Sequence, residues 1–218
     1  MSGFFNFDNP VFVFLGKLCD VIFLSLIWLI VCIPIFTIGP ANTALYYAVV
    51  KVIRRERGYI TREFFKSFRL NFLRAAIVGI VLTIIFVILI LDILTARSSL
   101  TSNASMNSVL FGVYVALFIF VLGISLYVFP FLSRFNMTVK QLIKAASFLS
   151  VRHLLHTIAM IIVFAVAAAA VFVLPLLLVI VPAAATLLNS FIMERILKKY
   201  TPDAENGENS SKDEWYLE

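Results

Sequence analysis

Two polar residues stand where an apolar chain tolerates them least. Asp92 and Asn189 fall inside long hydrophobic runs, and a polar group in lipid is costly enough that it usually marks a binding or relay site. Asp92 lies about one turn from the end of its run, within reach of water, so an interfacial carboxylate competes with a proton relay as its reading. Asp20 sits similarly near the start of the first run. Asn189 and Glu194, at the end of the last run, are candidates for lining a cavity. Thr83, Ser125, Tyr127 and Thr186 can add hydroxyls between helices, either to a ligand or as packing hydrogen bonds.

The remaining chemistry-bearing residues form no recognisable machinery. His153 and His156 are three apart and share a helix face, as metal ligands would, but no third ligand stands near them. Cys19 and Cys32 are thirteen positions apart, point in different directions on one helix, and read as buried apolar thiols. The chain lacks a nucleophile elbow, a zinc-protease helix, a phosphate loop and a dinucleotide fingerprint. No catalytic residue, cofactor or metal is therefore expected, and the chain is read as a non-enzyme.

What must position these residues is a membrane. Of 218 residues, 62% are hydrophobic and 14% charged, and the mean hydropathy is +1.02. Soluble domains run nearer about 45–50% apolar and about 25% charged. The apolar residues cluster into runs of about twenty, the length that crosses a hydrocarbon core of about 30 Å. The expected fold is an all-α polytopic transmembrane bundle, one domain over residues 1–200, with five spans near 18–38, 76–94, 109–129, 155–173 and 176–193. The last two make one nearly continuous apolar stretch. Pro175 predicts a hairpin at Leu174-Pro175, and Pro182 a kink in the fifth span.

The net charge of +6 sits in short connections between the runs, so membrane topology explains it before nucleic acid does. Lys51, Arg54, Arg55, Arg57, Arg62, Lys66, Arg69 and Arg74 separate the first two spans, and the positive-inside rule places them in the cytoplasm. Five spans then put the N-terminus outside and the C-terminus inside. Two helices are expected in this segment, 40–57 and 61–74. Gly58 suits the left-handed end of the first and Thr61 the N-cap of the second. On the second, Phe64, Phe65, Phe68 and Phe72 fall on one side and Arg62, Lys66 and Arg69 on the other, the pattern of a helix lying in the membrane interface. A similar helix precedes span four, with a capping box at Thr138 and Gln141 and a stripe of Leu142, Ile143, Ala146 and Leu149. A constant offset pairs Phe64 with Leu142 and Arg74 with Arg152, the trace of a weak parallel repeat. Residues 201–218 are polar and acidic and read as a disordered cytoplasmic tail.

The opening Phe4-Phe5-Asn6, the turn Asp8-Asn9-Pro10, the run from Leu29 to Gly39, and Ala44-Leu45-Tyr46-Tyr47 before a basic, Phe-rich helix resemble the YesL-like bacterial membrane proteins. The resemblance implies a multi-pass protein of the bacterial cytoplasmic membrane, without established activity, accompanying carbohydrate uptake systems of the ATP-binding-cassette (ABC) type. The function expected is a non-enzymatic accessory or regulatory protein that contacts such a transporter or its sensor kinase. The alternative is a small transporter or permease subunit with a pathway between paired hairpins. Candidate contacts to anionic lipid or to a partner are Arg54, Arg55, Arg57, Arg62, Phe64, Phe65, Lys66, Phe68, Arg69 and Arg74. The alanine-rich stretch 164–172 offers small surfaces for close helix contact, so self-association is also among the expectations, whereas nucleic acid is not.

Overall fold

A computed structural model describes residues 10–98, 104–135 and 137–200. The acidic tail at 201–218 and the motif before Pro10 lie outside the described residues. Among the described residues, seven α-helices make up the bundle: α1 (Pro10–Val31), α2 (Ile38–Ala48), α3 (Ile60–Ser98), α4 (Ala104–Arg134), α5 (Val139–Arg152), α6 (Leu154–Val173) and α7 (Val181–Leu197). No strand occurs among the described residues. Three helices are long and apolar enough to cross a bilayer: Ile60–Ser98, Asn107–Arg134 and Leu154–Val173. Their outer surfaces carry exposed Ile77, Ile84, Ile88, Val109, Leu117, Ile162 and Val166. An apolar surface of that extent has no place in water and is the lipid contact of a polytopic membrane bundle.

The first third of the chain differs from the expected single span. Pro34 forces its predecessor out of helical geometry, so α1 stops at Val31. The carbonyls freed there are not left bare, because the Thr37 hydroxyl turns toward those of Val31 and Pro34. The chain then reverses. Trp28 Nε1 donates to Asn42 Oδ1 at 2.9 Å, and Lys17 pairs with Glu56 at 2.6 Å, so α1 and the following helix run antiparallel. That hydrogen-bonded ion pair holds the Glu56 carboxyl below its ordinary range. Lys17 consequently lies at the same end of the bundle as the arginine-rich segment, where the expectation placed the N-terminus on the opposite side.

The helix expected at 40–57 is present as α2 and a π-helical continuation, but it is buried within the bundle. Every residue of α2 except Ile38 and Asn42 is buried, and the helix loosens into a π-helical segment, Val49–Arg54. Small residues permit this depth. Gly39 meets Ala75 and Gly79 of α3 so closely that a Cβ at Gly39 would fall 2.0 Å from the Ala75 carbonyl oxygen. Gly58, at φ +83°, ends the turn that leads into α3, as its sequence position suggests.

α3 runs unbroken through both the expected basic helix at 61–74 and the expected span at 76–94. No proline or glycine separates Arg74 from Ala76, so nothing ends the helix there. The capping box of α5 is present, with the Thr138 N–H donating to Gln141 Oε1 at 3.2 Å. Leu142, Ala146 and Leu149 are buried as the stripe requires, while Ile143 is exposed. Phe64 and its offset counterpart Leu142 are both fully buried, although α3 is continuous where α5 and α6 break at His153. Pro175 opens a 3-10 turn, Pro175–Val179, between α6 and α7. Pro182 does not kink a span: it occupies the first turn of α7, where its missing N–H costs no helical bond.

Two outcomes follow from this arrangement. In a chain whose two natural cysteines are replaced by Ser, Lys17→Cys and Arg57→Cys should react with a membrane-impermeant maleimide from one side of sealed vesicles, and Ser98→Cys from the other. Gly39→Ala should lower stability by about 1–3 kcal/mol, seen as an earlier loss of the monodisperse peak on heating in detergent.

Candidate functional site

The basic face divides into residues turned inward and residues left outside. Arg54 bonds the Ser190 carbonyl at 2.9 Å and lies over the Phe191 ring, 4.3 Å from its centroid. Arg55 approaches Glu194 at 3.6 Å. Phe64 is fully buried, stacked on Phe68 with centroids 6.3 Å apart, so it contacts the protein core rather than lipid or a partner. Phe68 is half-buried, as are Phe72 and Lys66. Arg57, Arg62, Phe65, Arg69 and Arg74 remain exposed, and Thr61, Arg62, Phe65, Lys66, Arg69 and Leu70 surround a shallow depression.

Sequence reasoning does not anticipate the ionic network between the helices. Glu194 of α7 accepts from the Tyr46 hydroxyl of α2 at 2.9 Å and from Arg134 of α4 at 3.2 Å, with Arg55 completing the cluster. Both Glu194 and Arg134 are almost wholly withdrawn from solvent, at 5% and 2% side-chain exposure. A second buried pair joins Lys51 to Glu63 at 2.8 Å, with the Tyr47 hydroxyl 3.2 Å from the same ammonium. Each charge removed from water costs several kcal/mol, offset only where partners satisfy it on several sides, as they do here. The only sequence signal was an acid, Glu194, at the end of an apolar run, and its sequence neighbour Arg195 is not the partner it takes.

The same helices border a half-open cavity of about 540 Å³. Its wall comes from Trp28 of α1, Asn42 and Tyr46 of α2, Thr83 and Phe86 of α3, Ser125 and Phe129 of α4, Phe164 and Ala168 of α6, and Thr186 and Asn189 of α7. Four residues singled out from sequence, Thr83, Ser125, Thr186 and Asn189, thus converge on one space. Glu194 and Tyr127 are not among its lining, and Tyr127 instead bonds Thr157 at 2.9 Å. Asp92 also stands apart from the cavity, half-buried near the far end of α3.

His153 and His156 meet edge to face, 5.7 Å between ring centroids, and His153 Nε2 bonds the Tyr200 hydroxyl at 3.1 Å. Burial, then the neighbouring His156, Lys199 and Arg152 charges, push the His153 imidazole below its ordinary value. No group of three or more His, Cys, Asp or Glu residues able to hold a metal occurs among the described residues. Cys19 is exposed and Cys32 half-buried, so Cys19 is not the buried thiol expected of it.

Lipid-facing helices around a partly polar cavity define a multi-pass helical membrane protein. Residues 21–93, from α1 into α3, match the family described as protein of unknown function DUF624, in keeping with the YesL-like resemblance of the sequence. Over 177 residues the chain is 29% identical to the uncharacterized protein YteU of Bacillus subtilis (strain 168), an alignment covering 79% of this chain and 77% of that protein. No solved structure matches the chain.

The two buried pairs should respond differently to loss of their acid. Glu194→Ala leaves a guanidinium that cannot shed its proton, and should cost about 3–5 kcal/mol. Glu63→Ala should cost less, because the Lys51 ammonium can deprotonate. Thermal inactivation midpoints of the two variants in the same detergent make the comparison.

Proposed function

We propose that this chain is a non-enzymatic membrane protein of the cytoplasmic membrane whose working site is the intramembrane cavity, where a small molecule is bound for passage or for sensing. The observation that carries this reading is the convergence of Asn42, Thr83, Ser125, Thr186 and Asn189 on one space of about 540 Å³ between helices. Ligand sites are of this size and character, largely apolar with a few polar groups. A bundle whose role is only to anchor a partner has no need to keep polar side chains around an internal space, because each polar group in lipid is costly. The reading therefore favours a transporter or sensor over a passive scaffold.

A second reading rests on the outward basic residues. Arg62, Lys66 and Arg69 beside Phe65 and Leu70 suit anionic lipid head groups, or the partner that the family resemblance implies, a carbohydrate uptake system of the ABC type or its sensor kinase. The two readings are compatible, since a subunit that senses a compound must also report to something.

The test of the cavity reading is accessibility. In the cysteine-free background, Ser125→Cys and Thr186→Cys should be modified by a small uncharged methanethiosulfonate in reconstituted vesicles, while Tyr127→Cys, fully buried outside the cavity, should not. Equal inertness of all three would show a dry, closed interior and would remove this function. For the second reading, replacement of Arg62, Lys66 and Arg69 by Gln should abolish any partner recovered by crosslinking from the start of α3.

A further inference from the structure

Three features of the surface and interior are shaped for an occupant: the wall of the cavity, the basic depression at the start of α3, and the exposed apolar turn at Ile33, Ile35 and Phe36. The first carries an inference furthest, because it specifies what the occupant must be. Among the described residues, no Asp, Glu, Lys, Arg or His lines the cavity. An ionised ligand would sit there in a low-dielectric space without a counter-charge, which is strongly unfavourable.

The hydroxyls on the wall have already spent their protons. Thr83 donates to the Gly79 carbonyl, Ser125 to that of Leu122 and Thr186 to that of Pro182, each at 2.8 Å. What these groups turn toward a ligand is oxygen lone pairs. The carboxamide oxygen of Asn42 is occupied by the Trp28 indole. The Asn189 oxygen is different: it is buried and has no hydrogen-bond partner among the described residues. A buried acceptor left unmatched costs stability, and such groups are rare enough in folded proteins that each calls for an explanation. Thr186 and Asn189 are three apart on α7, so they share a helix face. The wall thus carries hydroxyl acceptors and the N–H donors of two carboxamides on one side and is apolar on the rest, through Phe86, Phe129 and Phe164.

We propose that the cavity accepts an uncharged, mainly apolar molecule whose polar end, an alcohol or N–H group, hydrogen-bonds to the Thr186 hydroxyl and the Asn189 carboxamide. The statement rests on the reading of the cavity as the working site and adds the chemical class of its occupant. The Thr186 oxygen accepts from the ligand, the Asn189 carboxamide stands beside it on the same helix face, and the three phenylalanines pack against the apolar remainder.

The protein carries a reporter for the test. Its two tryptophans are Trp28, on the cavity wall, and Trp215, so Trp215→Phe leaves a single fluorophore at the site. The full chain with that substitution, in lipid nanodiscs, is titrated with three probes of one chain length, each bromine-tipped to quench Trp28. These are a decyl glycerol ether with two free hydroxyls, its dimethyl ether, and the corresponding decanoate. Saturable quenching, reversed by the unbrominated compound, is expected for the diol alone. Asn189→Leu should weaken the diol about tenfold, the worth of one hydrogen bond, while leaving the melting temperature unchanged or higher because an unmatched acceptor has gone. Thr186→Val should act in the same direction and provides the check if the first variant folds poorly. Competition by the propyl glycerol ether at similar concentration assigns the occupant to the aqueous phase, and its failure to compete assigns it to the bilayer; both agree with the class. Equal saturable quenching by the dimethyl ether or the decanoate overturns the assigned class while leaving a cavity site in place. Full diol affinity in both variants overturns the roles of Asn189 and Thr186. Absence of saturable quenching by any of the three probes removes the cavity site itself, and the proposal with it.

Discussion

One carboxylate determines how the helices of this bundle meet. Glu194 is nearly free of solvent, yet it accepts from Tyr46 and Arg134 and lies 3.6 Å from Arg55, groups that belong to α2, α4 and the connection after the π-helical segment. A guanidinium buried among apolar side chains holds its charge at any accessible pH, so its location is tolerable only where an acid is fixed beside it. The requirement is mutual. Neither α4 nor α7 can slide relative to the other by a turn without leaving a charge unpaired, and Tyr46 extends the same constraint to α2. The Lys51–Glu63 pair repeats the device between the π-helical segment and the first turn of α3, where the helix dipole also favours an acid.

The cavity is a consequence of helices held near such ties and separated elsewhere by bulky side chains. Gly39 and Gly79 bring α2 and α3 into backbone contact, whereas Phe86, Phe129 and Phe164 stand around the open space. At the closed ends of the α1–α2 and α6–α7 hairpins the turns are apolar and outward-facing, with Ile33, Ile35, Leu174 and Leu176 at least half exposed. Lipid rather than water suits these turns. Thr37 satisfies turn carbonyls from within, as irregular backbone in an apolar environment requires. Charged and uncharged polar groups are therefore segregated: charged pairs fix the packing, and uncharged polar residues face the cavity.

Much of this was legible in the residues, for reasons that differ by element. Length and hydropathy reveal α4 and α6 because a long apolar helix has few alternatives to lipid. The capping box of α5 and the left-handed Gly58 are local chemistry, readable within four residues. The phenylalanine stripe of α3 misled because periodicity identifies a face but not its neighbour, and Phe64 faces α1 and α2 rather than lipid. The α1–α2 reversal was missed for a related reason: Pro34 was visible, yet a second apolar helix directly after it resembled the continuation of one span. Of the site, Thr83, Ser125, Thr186 and Asn189 could be flagged individually as polar residues in apolar runs. Their convergence, and the pairing of Glu194 with Arg134 sixty positions away, depend on tertiary contacts that no local pattern encodes.

The most direct measurement of this account is a double-mutant cycle on that pair, using Arg134→Met and Glu194→Met singly and together, with stability followed by denaturation in mixed micelles. Each single change strands a buried polar partner, whereas the double change removes both. The expected result is a coupling of at least about 1.5 kcal/mol, the double variant being more stable than the sum of the single losses. Losses that add to within about 0.5 kcal/mol would contradict it, because two residues that do not sense each other cannot set the register of α4 and α7.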